Sequence, residues 1–112
     1  MVKGIGIDLT RISRFDINNK KLVERILSEK ELEVFQNLNN DNKPAYLASR
    51  FALKEAYYKA SQDNCSFSSI SFLNDKNGKP YMDERDDVLV SVSDEDDYLT
   101  TIVIINWYLI KF

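Results

Sequence analysis

The stretch Arg50-Phe51-Ala52-Leu53-Lys54-Glu55-Ala56-Tyr57-Tyr58-Lys59-Ala60 decides the fold, because its spacing is that of a helix pressed against a flat surface. Ala48, Ala52, Ala56 and Ala60 recur every four residues and make a narrow stripe of small side chains on one helix face. A sheet can approach such a stripe closely. Pro44 suits a first helical turn, so the spacing predicts a helix from Pro44 to about Ala60, the longest in the chain. Phe51, Glu55 and Lys59 form a parallel row one residue further around, which makes Glu55 and Lys59 neighbours.

On the N-terminal side, Val2 to Leu9 reads as a strand, with Val2, Ile5, Ile7 and Leu9 supplying apolar bulk. Gly4 and Gly6 mark where another backbone passes closely. Asp8 lies near the end of this strand. Lys20 to Leu27 has the spacing of a short amphipathic helix, and Ser28-Glu29-Lys30-Glu31 is a capping-box pattern that opens another. Leu32, Phe35 and Leu38 then point inward, and the helix fades in the polar run Asn39 to Asn42.

Beyond Ala60 the pattern becomes β. Ile70 to Leu73 and Lys79 to Met82 flank Asn77-Gly78, a tight-turn signal. Val88 to Ser93 alternates, a turn runs through Asp94 to Asp97, and a last strand extends from Tyr98 to about Leu109. A strand, three helices and a β-meander predict one α+β domain over residues 1–112, with the long helix packed on an antiparallel sheet.

Composition removes whole classes of chemistry. The chain has 112 residues and no histidine, so imidazole can serve neither as base, metal ligand nor triad partner. The one cysteine, Cys65, cannot form an internal disulfide and fits a reducing compartment. The N-terminus lacks a basic region followed by a long apolar one, and Ile102 to Phe112 is too short for a membrane helix; a cytoplasmic protein without membrane association is expected. Residues 1–30 carry Lys3, Arg11, Arg14, Lys20, Lys21, Arg25 and Lys30, whereas 83–97 is dominated by acids. A basic N-terminal third attracts an acidic macromolecule, or is simply a set of solvated helix faces. The net charge of −3, and the lack of an aromatic–basic strand pair, argue against nucleic acid.

Individually the polar candidates are ambiguous. An aspartate ending a strand is commonly a turn former or helix cap, and a Glu55–Lys59 pair at i,i+4 commonly supports its own helix. Lys79 reads equally as an exposed hairpin lysine. The ordered set changes this: Gly4-Ile5-Gly6-Ile7-Asp8 with Arg14 after it, then Arg50 to Ala60, then Asn77-Gly78-Lys79-Pro80. In this set the chain resembles the holo-[acyl-carrier-protein] synthases, the short bacterial 4′-phosphopantetheinyl transferases, over nearly its whole length.

The resemblance implies a small 4′-phosphopantetheinyl transferase fold that moves the phosphopantetheine arm of coenzyme A onto a serine of apo-acyl carrier protein, releasing adenosine 3′,5′-bisphosphate. It implies that Asp8 and Glu55 hold Mg²⁺ with the coenzyme A pyrophosphate, and that Lys59 contacts the phosphates. Glu55 and Lys59 are then the catalytic pair. Magnesium commonly takes one or two carboxylates beside phosphates and water, which suits these residue types. Glu55 itself and a metal-held water both stand as bases for the serine proton. Arg50, Gly78, Lys79, Pro80 and Ser91 are the further expected coenzyme A contacts, although Arg50 reads also as a helix-surface salt bridge and Ser91 equally as a serine on the polar face of a strand end. Arg14, with Lys21 and Arg25 nearby, is expected to dock the acidic carrier. A homotrimer with active sites between subunits is also implied.

Two departures qualify the match. The family's His-Val-Ser-Ile-Ser-His stretch is here Leu89-Val90-Ser91-Val92-Ser93-Asp94, and its glycine-bearing loop is Ser61-Gln62-Asp63-Asn64-Cys65-Ser66. A carrier-binding homologue of weak catalytic power is the alternative these losses leave open.

Overall fold

The computed structural model describes residues 1–107. Strand β1 spans Val2–Arg11, followed by a 3₁₀ turn at Ile12–Arg14. Helices α1 (Lys20–Ile26), α2 (Glu29–Gln36) and α3 (Lys43–Ser61) come next, then β2 (Phe72–Asn74), β3 (Pro80–Met82), β4 (Val88–Glu95) and β5 (Tyr98–Asn106). Positions 108 and 109 of the expected last strand lie outside the described residues.

Local chemistry sets the helix starts. Asn19 caps α1 by accepting from Leu22 N, and Ser28 caps α2 in a complete capping box with Glu31. Pro44 occupies the first turn of α3. That helix ends at Gln62, which takes the left-handed conformation (φ 59°) usually given to glycine.

The sheet differs from a simple meander. β1, the first strand, pairs antiparallel with β5, and β5 pairs with β4, giving the order β1-β5-β4; β2 and β3 form a separate two-stranded hairpin. The first hairpin strand begins at Phe72 rather than Ile70, because residues 67–69 form a 3₁₀ turn whose Phe67 carbonyl holds Ile70 N.

Helix α3 lies across the sheet and divides the core. Its first half packs with α1 and α2 through Phe15, Val23, Ile26, Phe35 and Leu47; its second half packs with the sheet and hairpin through Leu53, Ala56, Phe72, Val88 and Val103. The alanine stripe does what its spacing predicts. A Cβ added at Gly4 would stand 2.0 Å from the Ala60 carbonyl oxygen, and one at Gly6 1.9 Å from that of Ala56. On β5, Thr101 donates its hydroxyl to the Ala52 carbonyl at 2.8 Å.

Candidate active site

The close approach of β1 to α3 positions the acidic site. Strand residues alternate between faces, so Asp8 continues the inward row of Gly4 and Gly6. Its side chain is 14 % exposed and meets Lys59, whose Nζ donates to the Ile7 carbonyl at 3.0 Å and approaches Asp8 Oδ1 at 3.4 Å. Burial pushes the Asp8 carboxyl above its ordinary value, against the opposing pull of Lys59 and Arg14.

Glu55 precedes Lys59 by one helical turn and is half-buried. Among the described residues no hydrogen bond or ion pair engages its carboxylate. Among those residues there is also no group of three or more His, Cys, Asp or Glu side chains able to hold a metal alone. A two-carboxylate site for a hard divalent cation does not need one, since Mg²⁺ fills its remaining positions with water and substrate phosphates. A desolvated carboxylate on β1 and an unengaged one on α3, a turn before the lysine that meets it, are the hard-oxygen donors such a cation takes.

Arg14 ends the 3₁₀ turn after β1. Its guanidinium lies over the rings of Phe15 (5.2 Å) and Phe51 (4.8 Å) and reaches Thr10 Oγ1 at 3.5 Å. Lys21 and Arg25 are exposed on α1, on the side away from buried Val23 and Ile26. The three basic candidates thus all face solvent at the N-terminal end.

The other expected contacts lie elsewhere. Gly78 and Lys79 sit in a five-residue hairpin loop set by the Asn74↔Pro80 pair. Asp75 organises it: its Oδ1 accepts from Asn77 N (2.8 Å) and Lys79 N (3.0 Å), and Gly78 takes φ 84°. The Asn77-Gly78 signal marks the turn, and the Asp75 role was visible only as an aspartate two residues earlier. Ser91 is exposed on the outer face of the sheet, opposite Ile102, whereas Asp8 points inward. Because β1 and β4 occupy opposite edges of their sheet, one chain does not bring Ser91 or the hairpin to Asp8.

Among the described residues Arg50 makes no surface salt bridge: it is 4 % exposed, and its guanidinium donates to the Phe72 carbonyl (3.0 Å), Ser49 Oγ (2.9 Å) and Asn74 Oδ1 (2.7 Å) while lying over Tyr46. Three of its five N–H groups are engaged in this way, the last at the exposed Asn74 where the hairpin loop begins.

Sequence reasoning also missed Glu31 and Lys54, both with fully buried side chains. Lys54 Nζ donates to the Ile26 carbonyl at 2.6 Å and pairs with Glu31 Oε1. Burial pushes the Lys54 ammonium down, while Glu31 pulls it back up. The other Glu31 oxygen accepts from Phe72 N at 2.7 Å. The capping box was legible, but a carboxylate that also serves a strand 41 residues away leaves no local signal.

Together these placements sort the central motif into three rows along α3. Ala52, Ala56 and Ala60 face the sheet, at β5 and β1; Phe51 meets Arg14 and Lys59 meets Asp8, with Glu55 between them in the row; Arg50 and Lys54 face the hairpin and α2.

Residues 4–103 match the 4′-phosphopantetheinyl transferase superfamily (ACPS). The holo-[acyl-carrier-protein] synthase of Geobacillus sp. (strain WCH70) is 40% identical over 116 residues, covering 95% of this chain and 98% of the relative. That of Anoxybacillus flavithermus is 42% identical over 118 residues, covering 95% and 97%. Among solved structures, a holo-(acyl-carrier-protein) synthase from Bacillus anthracis in complex with CoA (3′,5′-ADP) superposes with a TM-score of 0.84 at 34% identity, covering 94% of this chain and 96% of that one. The enzyme from Neisseria meningitidis superposes at 0.83 with 31% identity, covering 96% and 100%. The α+β fold with its close-packed helix, the ordered motifs and these relatives agree, and the chain belongs to the holo-[acyl-carrier-protein] synthase family.

Proposed function

We propose that this enzyme transfers the 4′-phosphopantetheine arm of coenzyme A to a serine of apo-acyl carrier protein, with Asp8, Glu55 and Lys59 as its reacting centre. The observation that carries the reading is the meeting of the Lys59 ammonium with a desolvated Asp8, one helical turn along α3 from the half-buried Glu55. In the reaction the serine oxygen bonds to the phosphorus bearing pantetheine. The bond from that phosphorus to the bridging oxygen breaks, and adenosine 3′,5′-bisphosphate departs. Asp8 and Glu55 would hold Mg²⁺ with the pyrophosphate, and the cation would supply charge neutralisation there. Lys59 stabilises charge on the non-bridging oxygens. The chain has no histidine, so the serine proton leaves to Glu55 or to water at the site.

Arg14, close to two aromatic rings, with Lys21 and Arg25 on α1, presents positive charge to an acidic carrier. Gly78, Lys79, Pro80 and Ser91 reach the coenzyme from a neighbouring subunit. Their position beyond the edge opposite Asp8 supports shared sites. The outer sheet face supports self-association into a homotrimer: Ile5, Ile7, Leu9 and Leu89 are 60%, 61%, 66% and 54% exposed, and Ile102 and Ile104 lie between them in register. No described helix is long and apolar enough to cross a membrane, and cytoplasmic action of residues 1–112 as one domain is part of the same reading.

Transfer of labelled pantetheine from coenzyme A to apo-carrier, with and without Mg²⁺, tests the proposal. Asp8→Ala and Glu55→Ala should each lower transfer on the order of 100-fold. Wild-type protein that binds the carrier but transfers nothing would instead favour the weakly catalytic homologue, for which the replacement of both histidines by Leu89 and Asp94 speaks.

A further inference from the structure

The β2–β3 hairpin is not part of the main sheet, so something else must fix it. One edge of β2 pairs with β3. On its other edge, the Phe72 amide donates to Glu31 of α2 and the Phe72 carbonyl accepts from Arg50 of α3. Asn74, two residues along, accepts from the same guanidinium. A strand edge normally offers such groups to another strand; here two charged side chains from two helices occupy them. Lys54, one turn after Arg50, closes the set by pairing with Glu31 and with the last turn of α1 through Ile26.

Apolar packing alone does not require this arrangement. The Phe72 ring is already fully buried, and a buried ion pair is commonly no more stabilising than well-packed apolar residues of the same volume. Hydrogen bonds from a planar guanidinium and a two-oxygen carboxylate give something that apolar packing does not, a fixed register and direction for the strand they hold. The strand so held leads directly into Asp75 and the Gly78–Lys79 loop.

We infer that Glu31, Lys54 and Arg50 are positioning residues: they clamp the hairpin to α3, the helix that also carries Glu55 and Lys59, and so set where Lys79 meets coenzyme A. This rests on the reading that the hairpin contacts the coenzyme. With both parts referred to one rigid helix, each subunit presents its hairpin to a neighbour in a fixed direction relative to its own acidic site.

The test uses the full chain and steady-state transfer kinetics for both substrates, with amide hydrogen exchange across residues 70–82. The double variant Glu31→Gln/Lys54→Met removes both buried charges together, keeps side-chain volume and a capping glutamine, and leaves one acceptor oxygen where two served. Asn74→Ala, at an exposed position, loosens the clamp from outside the core should the double variant not fold. The expected result is faster exchange in the hairpin and a KM for coenzyme A raised about 10-fold, with kcat and the carrier KM within about twofold of wild type. Faster exchange with an unchanged KM for coenzyme A would overturn the inference. So would a fall in kcat and a rise in both KM values that track lost thermal stability, because that marks a merely structural role. Lys79→Ala separates the underlying reading: an unchanged KM for coenzyme A in that variant removes the hairpin from the coenzyme site, whatever the clamp variants do to exchange.

Discussion

On the proposed sharing of active sites within a homotrimer, subunits can rescue one another, and the placement of the two half-sites gives the size of the rescue. Asp8→Ala disables the half built on β1 and α3. Lys79→Glu puts a negative charge where the other half should receive phosphate. Each homotrimer should be nearly inactive. Co-expression with two affinity tags, followed by purification on both, selects trimers that hold two copies of one variant and one of the other. Such a ring has three interfaces, and only one joins an intact Asp8 edge to an intact hairpin. Transfer by the mixed trimers should therefore reach about one third of wild type. If both half-sites acted within one chain, every site would carry a lesion. Activity no higher than that of the homotrimers would refute shared sites, and a light-scattering mass other than a trimer's would change the fraction.

Three further outcomes follow from particular residues. Gly6→Ala forces a Cβ to within 1.9 Å of the Ala56 carbonyl oxygen, so β1 must move off α3; a loss of about 3 kcal/mol, seen as a melting temperature lowered by roughly 12 °C, is expected. Gln62→Gly relieves a side chain held at φ 59° and should stabilise by about 1 kcal/mol in denaturant titration, without changing the slope. Asp8 has a folded pKa raised above the ordinary 3.8, so its contribution to stability is present below that value and lost as pH rises through the folded pKa. Asp8→Asn should thus melt no lower than wild type at neutral pH while losing transfer. In the wild type, activity at limiting Mg²⁺ should fall on acidification at a pH above that of an ordinary aspartate, and Lys59→Met should move this acid limb higher.

Much of the fold was written locally. The Ser28–Glu31 capping box, Pro44 and the four-residue alanine spacing each act over one or two turns, and the structure forms all three where they were read. Gly4 and Gly6 announced a close approach, though not its partner. The row Phe51, Glu55, Lys59 was equally legible because it is a property of helical geometry. What escaped was long-range. Glu31 looked complete as a cap, and nothing beside it in sequence shows that its second oxygen serves Phe72. Arg50 reads from sequence as a helix-surface salt bridge or a phosphate contact; only the folded chain shows it buried and donating to Phe72 and Asn74. The pairing of β1 with β5, across the whole chain, likewise has no local signature.

The three rows of α3 have a consequence for how this chain can change. Of the helix's 19 residues, Lys59 is the only exposed one. A typical surface helix keeps a polar face on which substitutions accumulate with little effect. This one has no such face. In a saturation scan that scores abundance and activity separately, replacements at the buried positions of Lys43–Ser61 should lower abundance, and Lys59, with the unengaged Glu55 a turn before it, should stand apart by losing activity at normal abundance. The stretch of sequence that made the fold readable is the stretch with the least freedom to drift.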